Sequence, residues 1–182
     1  GSRPPWCAAL DTVNAALERD PDLADAYWVL GRVQLRTGAV KDALENFQRT
    51  LWLKPGRIEA LVGVGDAYDQ LREEKKAIKA YQDAVKLDPD HGDWWYRLGT
   101  LHLARGSRDE ARVALAEAVL RADRLTDKPR WVADAHYAYA EVLRDTKRIP
   151  EAMDHYKAFL QLAPAGHPSR DEVTRILRAN WR

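Results

Sequence analysis

Histidines are the residues of this sequence with the widest choice of chemistry, because imidazole can bind metals or move protons near neutral pH. There are five of them, His91, His102, His136, His155 and His167. A zinc site needs three or four ligands at fixed spacing, and neither Cys-x-x-Cys nor His-Glu-x-x-His occurs. We therefore predict no metal site. His102 and His136 fall within predicted helices, and we expect both to be core or half-buried side chains.

A nucleophile or a phosphate-binding loop would be the other route to catalysis. Cys7, the single cysteine, lies among alanines on a predicted terminal helix with no clear base beside it. Gly63 and Gly65 are closely spaced, but they lie inside a predicted helix with no strand before them and no Gly-Lys-Ser/Thr after them. Catalysis needs convergent polar groups. We therefore predict a chain that is not an enzyme and needs no cofactor.

The composition is that of one ordinary globular domain. The chain has 182 residues, of which 46% are hydrophobic and 31% charged, and this apolar content can bury a sizeable core. Its 29 Lys and Arg nearly balance 28 Asp and Glu, so a net charge of +1 gives no whole-chain attraction to nucleic acid or anionic lipid. No apolar run is long enough for a membrane span, so we predict no direct membrane insertion. The single cysteine fits a reducing compartment, and the expected location is the cytoplasm.

The sequence has an internal repeat, because three kinds of residue recur every 34 positions. They are Pro21, Pro55 and Pro89; Gly31, Gly65 and Gly99; and Ala9, Ala43, Ala77 and Ala111. The register shifts once, since Ala152 lies 41 residues after Ala111, which is one period plus seven residues. A fixed period between about 20 and 50 residues indicates a repeat architecture.

Each period contains two stretches whose apolar residues recur at steps of three and four, joined by a short polar turn. This pattern predicts two helices per repeat. The recurring glycines and alanines mark the points where helices cross closely. Gly38 and Gly106 suit a left-handed position after the first helix, whereas Arg72 and Lys147 occupy that position at a small strain cost.

The repeat resembles the tetratricopeptide repeat (TPR), whose motif has a large residue, Leu-Gly, an aromatic, two alanines and a closing proline. The matching residues are Tyr27, Leu30, Gly31, Ala43, Phe47 and Pro55 in residues 24–57; Leu61, Val64, Gly65, Tyr68, Ala77, Tyr81, Ala84 and Pro89 in 58–91; Trp95, Leu98, Gly99, Ala111, Leu115 and Ala118 in 92–125; and His136, Tyr139, Ala140, Ala152, Tyr156, Phe159 and Pro164 in 133–166. The resemblance implies an all-α fold, a right-handed α-solenoid of helix-turn-helix repeats.

The segments outside the four copies complete the predicted organisation. Residues 1–4 are expected to be a tag remnant or disordered lead, and residues 5–23 to hold the second helix of a truncated repeat. Residues 126–132 form an insertion that we expect to lengthen the flanking helices.

Residues 167–182 are predicted to form a C-terminal capping helix. Ser169 followed by Glu172 resembles a capping box. Four apolar residues would cover the exposed face of the last repeat, Val173, Ile176, Leu177 and Trp181.

In TPR arrays the first helices of the repeats line the concave surface, so the resemblance implies a binding site there. Steps of three and four residues along the four first helices give the lining Asp25, Trp28, Arg32, Leu35, Arg36; Glu59, Val62, Asp66, Asp69, Gln70; Asp93, Tyr96, Thr100, Leu103, Ala104; and Asp134, Tyr137, Glu141, Arg144, Asp145. This lining contains eight carboxylates and three guanidinium groups, so its net charge is −5, whereas that of the whole chain is +1. A solvated helix face explains scattered acids in one repeat about as well, but an aromatic at the same place in three repeats favours binding.

We therefore predict a protein-interaction module, a scaffold or adaptor that holds a segment of another protein in its concave groove. The expected partner carries apolar anchors and a basic residue. The predicted contact residues are Trp28, Arg32, Asp66, Asp69, Tyr96, Tyr137 and Glu141. The Lys and Asn with which some TPR co-chaperones grip a C-terminal carboxylate are missing, which argues against a chaperone-tail function.

Two other functions stay open. The truncated first repeat allows a regulatory or targeting TPR segment of a larger bacterial assembly, motility or secretion protein. RNA binding by a helical repeat is the second, but an acidic lining repels phosphates, so we expect no nucleic acid partner. Arginine outnumbers lysine by 20 to 9 and there are 28 alanines, a bias that favours a bacterial source.

Overall fold

The computed structural model describes residues 5–179, which contain helices and turns but no strand. The lead predicted for residues 1–4 and the side chain of Trp181 lie outside the described residues. Ten helices follow one another within residues 5–179: α1 Pro5–Arg19, α2 Ala24–Thr37, α3 Val40–Leu53, α4 Ile58–Gln70, α5 Glu74–Leu87, α6 Gly92–Ala104, α7 Arg108–Ala122, α8 Arg130–Asp145, α9 Ile149–Leu162 and α10 Arg170–Ala179. The predicted all-α fold is confirmed.

The helices divide between two compact units. The first unit ends at Asp88 and contains α1 to α5, and the second begins at Pro89 and contains α6 to α10. In the first unit α2 packs on α3 and α4 on α5; in the second, α6 packs on α7 and α8 on α9. We call α2, α4, α6 and α8 the first helices of these pairs and α3, α5, α7 and α9 the second helices. Each pair is the helical hairpin that the 34-residue period predicts.

The turns inside the hairpins use left-handed backbone, as predicted. The φ angle is 85° at Gly38 and 74° at Gly106, and it is 61° at Arg72 and 62° at Lys147. Glycine adopts this conformation freely, whereas a residue with a Cβ pays about 1 kcal/mol for it. The turn geometry is therefore kept in all four hairpins even where the sequence does not supply glycine.

Small residues let neighbouring helices meet around one large side chain. A Cβ added at Gly31 of α2 or at Gly63 of α4 would lie 2.7 Å from the Phe47 ring of α3, too close for a real contact. Phe47 is 1% exposed. Because no other side chain leaves room for this ring, the glycines of two first helices and the aromatic of one second helix form a single packing element.

The large residue near the start of a first helix also anchors the chain that leads into it. The Tyr27 hydroxyl donates to the carbonyl of Pro21 at 2.9 Å, and the Trp95 indole N–H donates to the carbonyl of Pro89 at 2.8 Å. These prolines close the preceding repeats. The motif's large residue and its closing proline are therefore linked by a hydrogen bond that fixes how the chain enters the next helix.

The predicted insertion covers the end of the segment between α7 and α8 and the first residues of α8. Residues 123–129 are not helical, and α8 begins at Arg130, so the last three residues of the predicted insertion belong to the helix. The Lys128 ammonium donates to the carbonyls of Ala122 at 2.7 Å and Asp123 at 3.2 Å. The insertion thus satisfies carbonyl groups at the end of α7 that have no partner within the helix.

The final helix packs on the last hairpin, as predicted. Val173 of α10 is fully buried in the core cluster that contains Tyr156 and Phe159 of α9, and Ile176 and Leu177 pack against the same cluster. The predicted capping box is wrong in one respect. The Ser169 backbone N–H, which a capping box would direct to Glu172, donates to Nδ1 of His167 at 3.2 Å.

Candidate functional site

The aromatic residue predicted on the first helix of the first unit, Trp28, is half-buried. The guanidinium carbon of Arg32 lies 4.8 Å from the centroid of its ring, and that of Arg57 lies 4.5 Å away. The ring also packs against the core cluster around Phe47. The structure therefore brings Trp28 and Arg32 together, and two cation–π contacts hold the indole in place.

Arg57, which the sequence analysis missed, also neutralises acids of the predicted lining. It lies directly before α4, forms an ion pair with Asp25 and lies 3.8 Å from the carboxylate of Glu59. Asp25 makes a second ion pair, with Lys54 at 3.2 Å. Arg57 and Lys54 are outside the first helices, so a count restricted to those helices overstates the negative charge of this surface.

The two acids predicted on α4 have different surroundings. Asp66 is half-buried and accepts a hydrogen bond at 2.5 Å from the hydroxyl of Tyr81, which is fully buried on α5. Asp69 is half-buried as well, and it has neither an ion pair nor a side-chain hydrogen bond among the described residues. Asp66 therefore has a structural partner, whereas the Asp69 carboxylate is available to a ligand.

In the second unit, Tyr96 of α6 packs beside a residue of the predicted insertion. Its ring stacks on that of Trp131 in α8, with the centroids 6.3 Å apart. Burial, and then the nearby Asp134 carboxylate, raise the pKa of the Tyr96 hydroxyl above its usual range. Tyr96 is half-buried, so part of the ring stays accessible while the rest is fixed by Trp131.

Tyr137 of α8 lies over the core of the last hairpin. Its ring centroid is 5.3 Å from that of Phe159 and 6.4 Å from that of Tyr156. Burial raises the pKa of the Tyr137 hydroxyl, and the carboxylates of Glu141 and Glu172 raise it further. Tyr137 is therefore a fixed, half-buried aromatic in a negatively charged environment.

Glu141, one turn after Tyr137, accepts a hydrogen bond from the hydroxyl of Tyr156 and pairs with Arg144 at 2.6 Å. Tyr156 thus joins two predicted site residues, because it touches the ring of one and the carboxylate of the other. Burial, reinforced by this hydrogen bond, strongly raises the pKa of the Tyr156 hydroxyl.

The two pairs of an acid and a tyrosine share one spacing along the sequence. Asp66 precedes Tyr81 by 15 residues, and Glu141 precedes Tyr156 by the same number. In the other two hairpins the residue at the second position lacks a hydroxyl, and the first position is not acidic: the pairs are Arg32 with Phe47 and Thr100 with Leu115. A carboxylate therefore occurs on a first helix where a buried phenol needs an acceptor.

We expect Tyr156→Phe to lower the free energy of unfolding by about 1 to 2 kcal/mol, because the half-buried Glu141 carboxylate loses its phenolic donor. Urea unfolding of the full chain measures the change. Tyr139→Phe on α8 is the matched control, since the Tyr139 hydroxyl has no hydrogen bond among the described residues. Equal stability of the two variants would contradict a role for the Tyr156 hydrogen bond.

Two further lining acids of the second unit also have partners outside the predicted lining. Asp134 lies 3.0 Å from Nε2 of His167, and Asp145 lies 3.3 Å from the guanidinium of Arg108. The charge of −5 predicted for the lining is therefore partly neutralised by Lys54, Arg57 and Arg108, which lie outside the first helices, whereas His167 gives Asp134 a hydrogen-bonding partner. Sequence spacing along the first helices alone could not show these partners.

Two of the histidines considered for metal binding or catalysis are core residues, and the described part of the chain contains neither a candidate metal site nor a candidate membrane span. His102 and His136 are 9% and 4% exposed, so the prediction of core histidines is confirmed. Within residues 5–179 no group of three or more His, Cys, Asp or Glu side chains is placed to hold a metal ion. None of the described helices is both long enough and apolar enough to cross a lipid bilayer.

Comparison with known proteins identifies the repeat. The sequence profile of the tetratricopeptide repeat matches residues 7–58, 63–127 and 124–167. The Protein CTR9 homolog of Arabidopsis thaliana is 37% identical over 75 residues, which is 41% of this chain and 7% of that protein. Anaphase-promoting complex subunit 7 of the same organism is 27% identical over 170 residues, which is 93% of this chain and 29% of that protein. The chain therefore spans less than a third of either relative.

Solved structures show the same fold. MamA has a TM-score of 0.72 at 24% identity, over 84% of this chain and 85% of its own. TTC0263, a thermophilic TPR protein of Thermus thermophilus, has a TM-score of 0.66 at 25% identity, over 95% of this chain and 91% of its own. YrrB, a TPR protein with an unusual peptide-binding site, has a TM-score of 0.71 at 20% identity, over 94% and 82%. With helical hairpins throughout and a profile that matches most of its length, this chain belongs to the tetratricopeptide repeat family.

Proposed function

We propose that this chain is a protein-interaction module that binds a segment of a partner protein along its first helices, without chemistry. The observation that supports this function best is that the aromatic side chains on those helices are partly exposed and held in place by their neighbours. Trp28, Tyr96 and Tyr137 are each half-buried and each held by neighbouring side chains. A ring fixed in this way loses little conformational freedom when a partner covers it, so it makes an effective anchor.

The partner segment that fits best carries apolar side chains and at least one Lys or Arg. Asp69 offers a carboxylate with no partner among the described residues of the first unit. In the second unit, burial and then nearby carboxylates raise the pKa of the Tyr96 and Tyr137 hydroxyls, so negative charge lies near both rings. A cation beside these rings would meet both a negative charge and an aromatic face, whereas a phosphate would be repelled.

Peptides selected from a random library on the full chain provide the test. We expect the selected peptides to combine apolar and basic residues, and Trp28→Ala or Tyr96→Ala to weaken their binding about 30-fold, since central aromatic anchors carry about 2 kcal/mol. Isothermal titration calorimetry gives the dissociation constants, and circular dichroism checks that each variant stays folded.

Trp52→Ala is the matched control, because Trp52 lies on the second helix α3 and is 67% exposed. Asp69→Asn tests the charge, and its effect should fade as salt is added. It is a cleaner charge variant than a change at Asp66, which would also break the hydrogen bond of Tyr81. Loss of binding in Trp52→Ala, with Trp28→Ala and Tyr96→Ala both unaffected, would place the site on the second helices and contradict the proposal.

We also propose a bacterial source and a cytoplasmic location for the protein. The support is the excess of arginine over lysine, the many alanines and the single cysteine. The curated relatives described above are plant proteins, so they do not favour this source over another.

A further inference from the structure

Two histidines meet inside the last hairpin. Nδ1 of His136 in α8 lies 3.0 Å from Nδ1 of His155 in α9, and the ring centroids are 5.2 Å apart. His136 is 4% exposed and His155 is half-buried. At this distance one ring nitrogen must carry a hydrogen and the other must accept it.

The surroundings decide which ring donates. Nε2 of His136 lies 3.6 Å from the carboxylate of Asp123, just after α7, so the hydrogen of a neutral His136 is best placed on Nε2. Nδ1 of His136 is then the acceptor, and His155 donates its Nδ1–H. In this arrangement His155 can gain a proton on its free Nε2 without disturbing the bond between the rings.

Other charged groups face the pair from each element around it. Lys128 lies in the segment before α8 and disfavours a charge on His136, whereas Asp123 favours it. Glu151 and Asp154 of α9 favour a charge on His155, as does Asp123. The rings of Tyr139 in α8 and His155 are inclined to each other at 62°, with the centroids 4.7 Å apart.

We propose that His136 and His155 form a pH-sensitive latch between α8 and α9, which holds one added proton with its hydrogen bond intact and opens when a second proton binds. The second proton has to go to Nδ1 of His136. That nitrogen would then point its hydrogen at the Nδ1–H of His155, so two donors and two positive charges would face each other at 3.0 Å. Mild acid therefore weakens the last hairpin.

The direction of the pH effect follows from the folded and unfolded states. Burial lowers the pKa of both histidines in the folded chain, and the charge of His155 lowers the pKa of His136 further. The unfolded chain therefore binds more protons than the folded chain once the pH falls below the ordinary histidine pKa of about 6.5. Stability is fully present above that pH and is lost as the pH falls through it.

Urea unfolding of the full chain at pH 7.5 and pH 5.5 tests the latch, with a double variant as reference. His136→Leu and His155→Ala introduce residues that occupy the same repeat positions elsewhere, namely Leu61, Ala80 and Ala114. Between the two pH values we expect the unfolding constant of the parent to rise at least about tenfold more than that of the double variant. His102, which is also buried, is present in both proteins and cancels in this comparison. His91→Gln, at an exposed histidine, should behave like the parent.

Nuclear magnetic resonance titration of the histidine ring protons is a second test, which still applies if the double variant folds poorly. In the parent, the two rings should titrate in coupled steps. In His155→Ala, the pKa of His136 should rise because the opposing charge is gone. The same pKa for His136 in the parent and in His155→Ala, or equal pH dependence of unfolding in the parent and the double variant, would overturn the latch.

Discussion

Phe47→Ala is expected to lower the free energy of unfolding by about 3 to 5 kcal/mol, the usual cost of removing a fully buried aromatic ring. The ring lies against Gly31 and Gly63, so two first helices lose their shared contact at once. The backbone at these glycines offers no side chain that can turn into the cavity, which limits relaxation. Urea unfolding of the full chain, followed by circular dichroism, measures the change.

Trp52→Ala provides the control for this prediction, since it removes an even larger aromatic side chain from the same helix. Trp52 is 67% exposed, and the guanidinium carbon of Arg49 lies 4.2 Å from its ring centroid. We expect a change of about 1 kcal/mol or less at this surface position. A cost for Phe47→Ala no greater than that for Trp52→Ala would show that the ring is not the packing element we describe.

Val173→Asp is expected to lower the free energy of unfolding by about 3 kcal/mol or more, because it places a carboxyl group where the side chain is fully buried. Val173 holds α10 against Tyr156 and Phe159. If α10 detaches, the carbonyls of Leu160 and Ala163 also lose the Arg170 guanidinium that donates to them at 2.8 and 2.6 Å. The exposed apolar surface should promote association, which analytical ultracentrifugation detects.

Arg175→Asp separates burial from charge, because Arg175 is exposed on the same helix. It removes a positive charge and adds a negative one, yet we expect a change of about 0.5 kcal/mol or less. If both variants unfold alike, the effect of Val173→Asp comes from the charge of α10 and not from the cover that this helix provides.

The repeat architecture could be predicted from the sequence because each hairpin repeats the same local solution. The 34-residue period, the recurring Gly31 and Gly99 that face Phe47 and Leu115, and the left-handed turns at Arg72 and Lys147 are all local or periodic features. Even the turns without glycine were predictable, because Arg72 and Lys147 occupy the repeat position at which the other hairpins have Gly38 and Gly106.

The charge of the first helices could not be predicted in the same way. It depends on partners from other elements, such as Arg57 before α4 and Arg108 at the start of α7, whose side chains reach the acids only in three dimensions. The hydrogen bond from Tyr156 to Glu141 is different, because its 15-residue spacing is visible in the sequence once the structure shows its meaning. The positions of the aromatics in the proposed binding site were therefore predictable from the repeat register, whereas the partners of its charged side chains were not.

Mapping a bound peptide by nuclear magnetic resonance tests the central claim most directly. A peptide selected on the full chain is titrated into isotopically labelled protein, and the indole N–H resonances of Trp28 and Trp52 are followed with the backbone amides. We predict that the shifts concentrate on α2, α4, α6 and α8, with the Trp28 indole strongly affected and the Trp52 indole unchanged. Shifts concentrated on α3, α5, α7 and α9, with the Trp52 indole affected and the Trp28 indole unchanged, would contradict binding along the first helices.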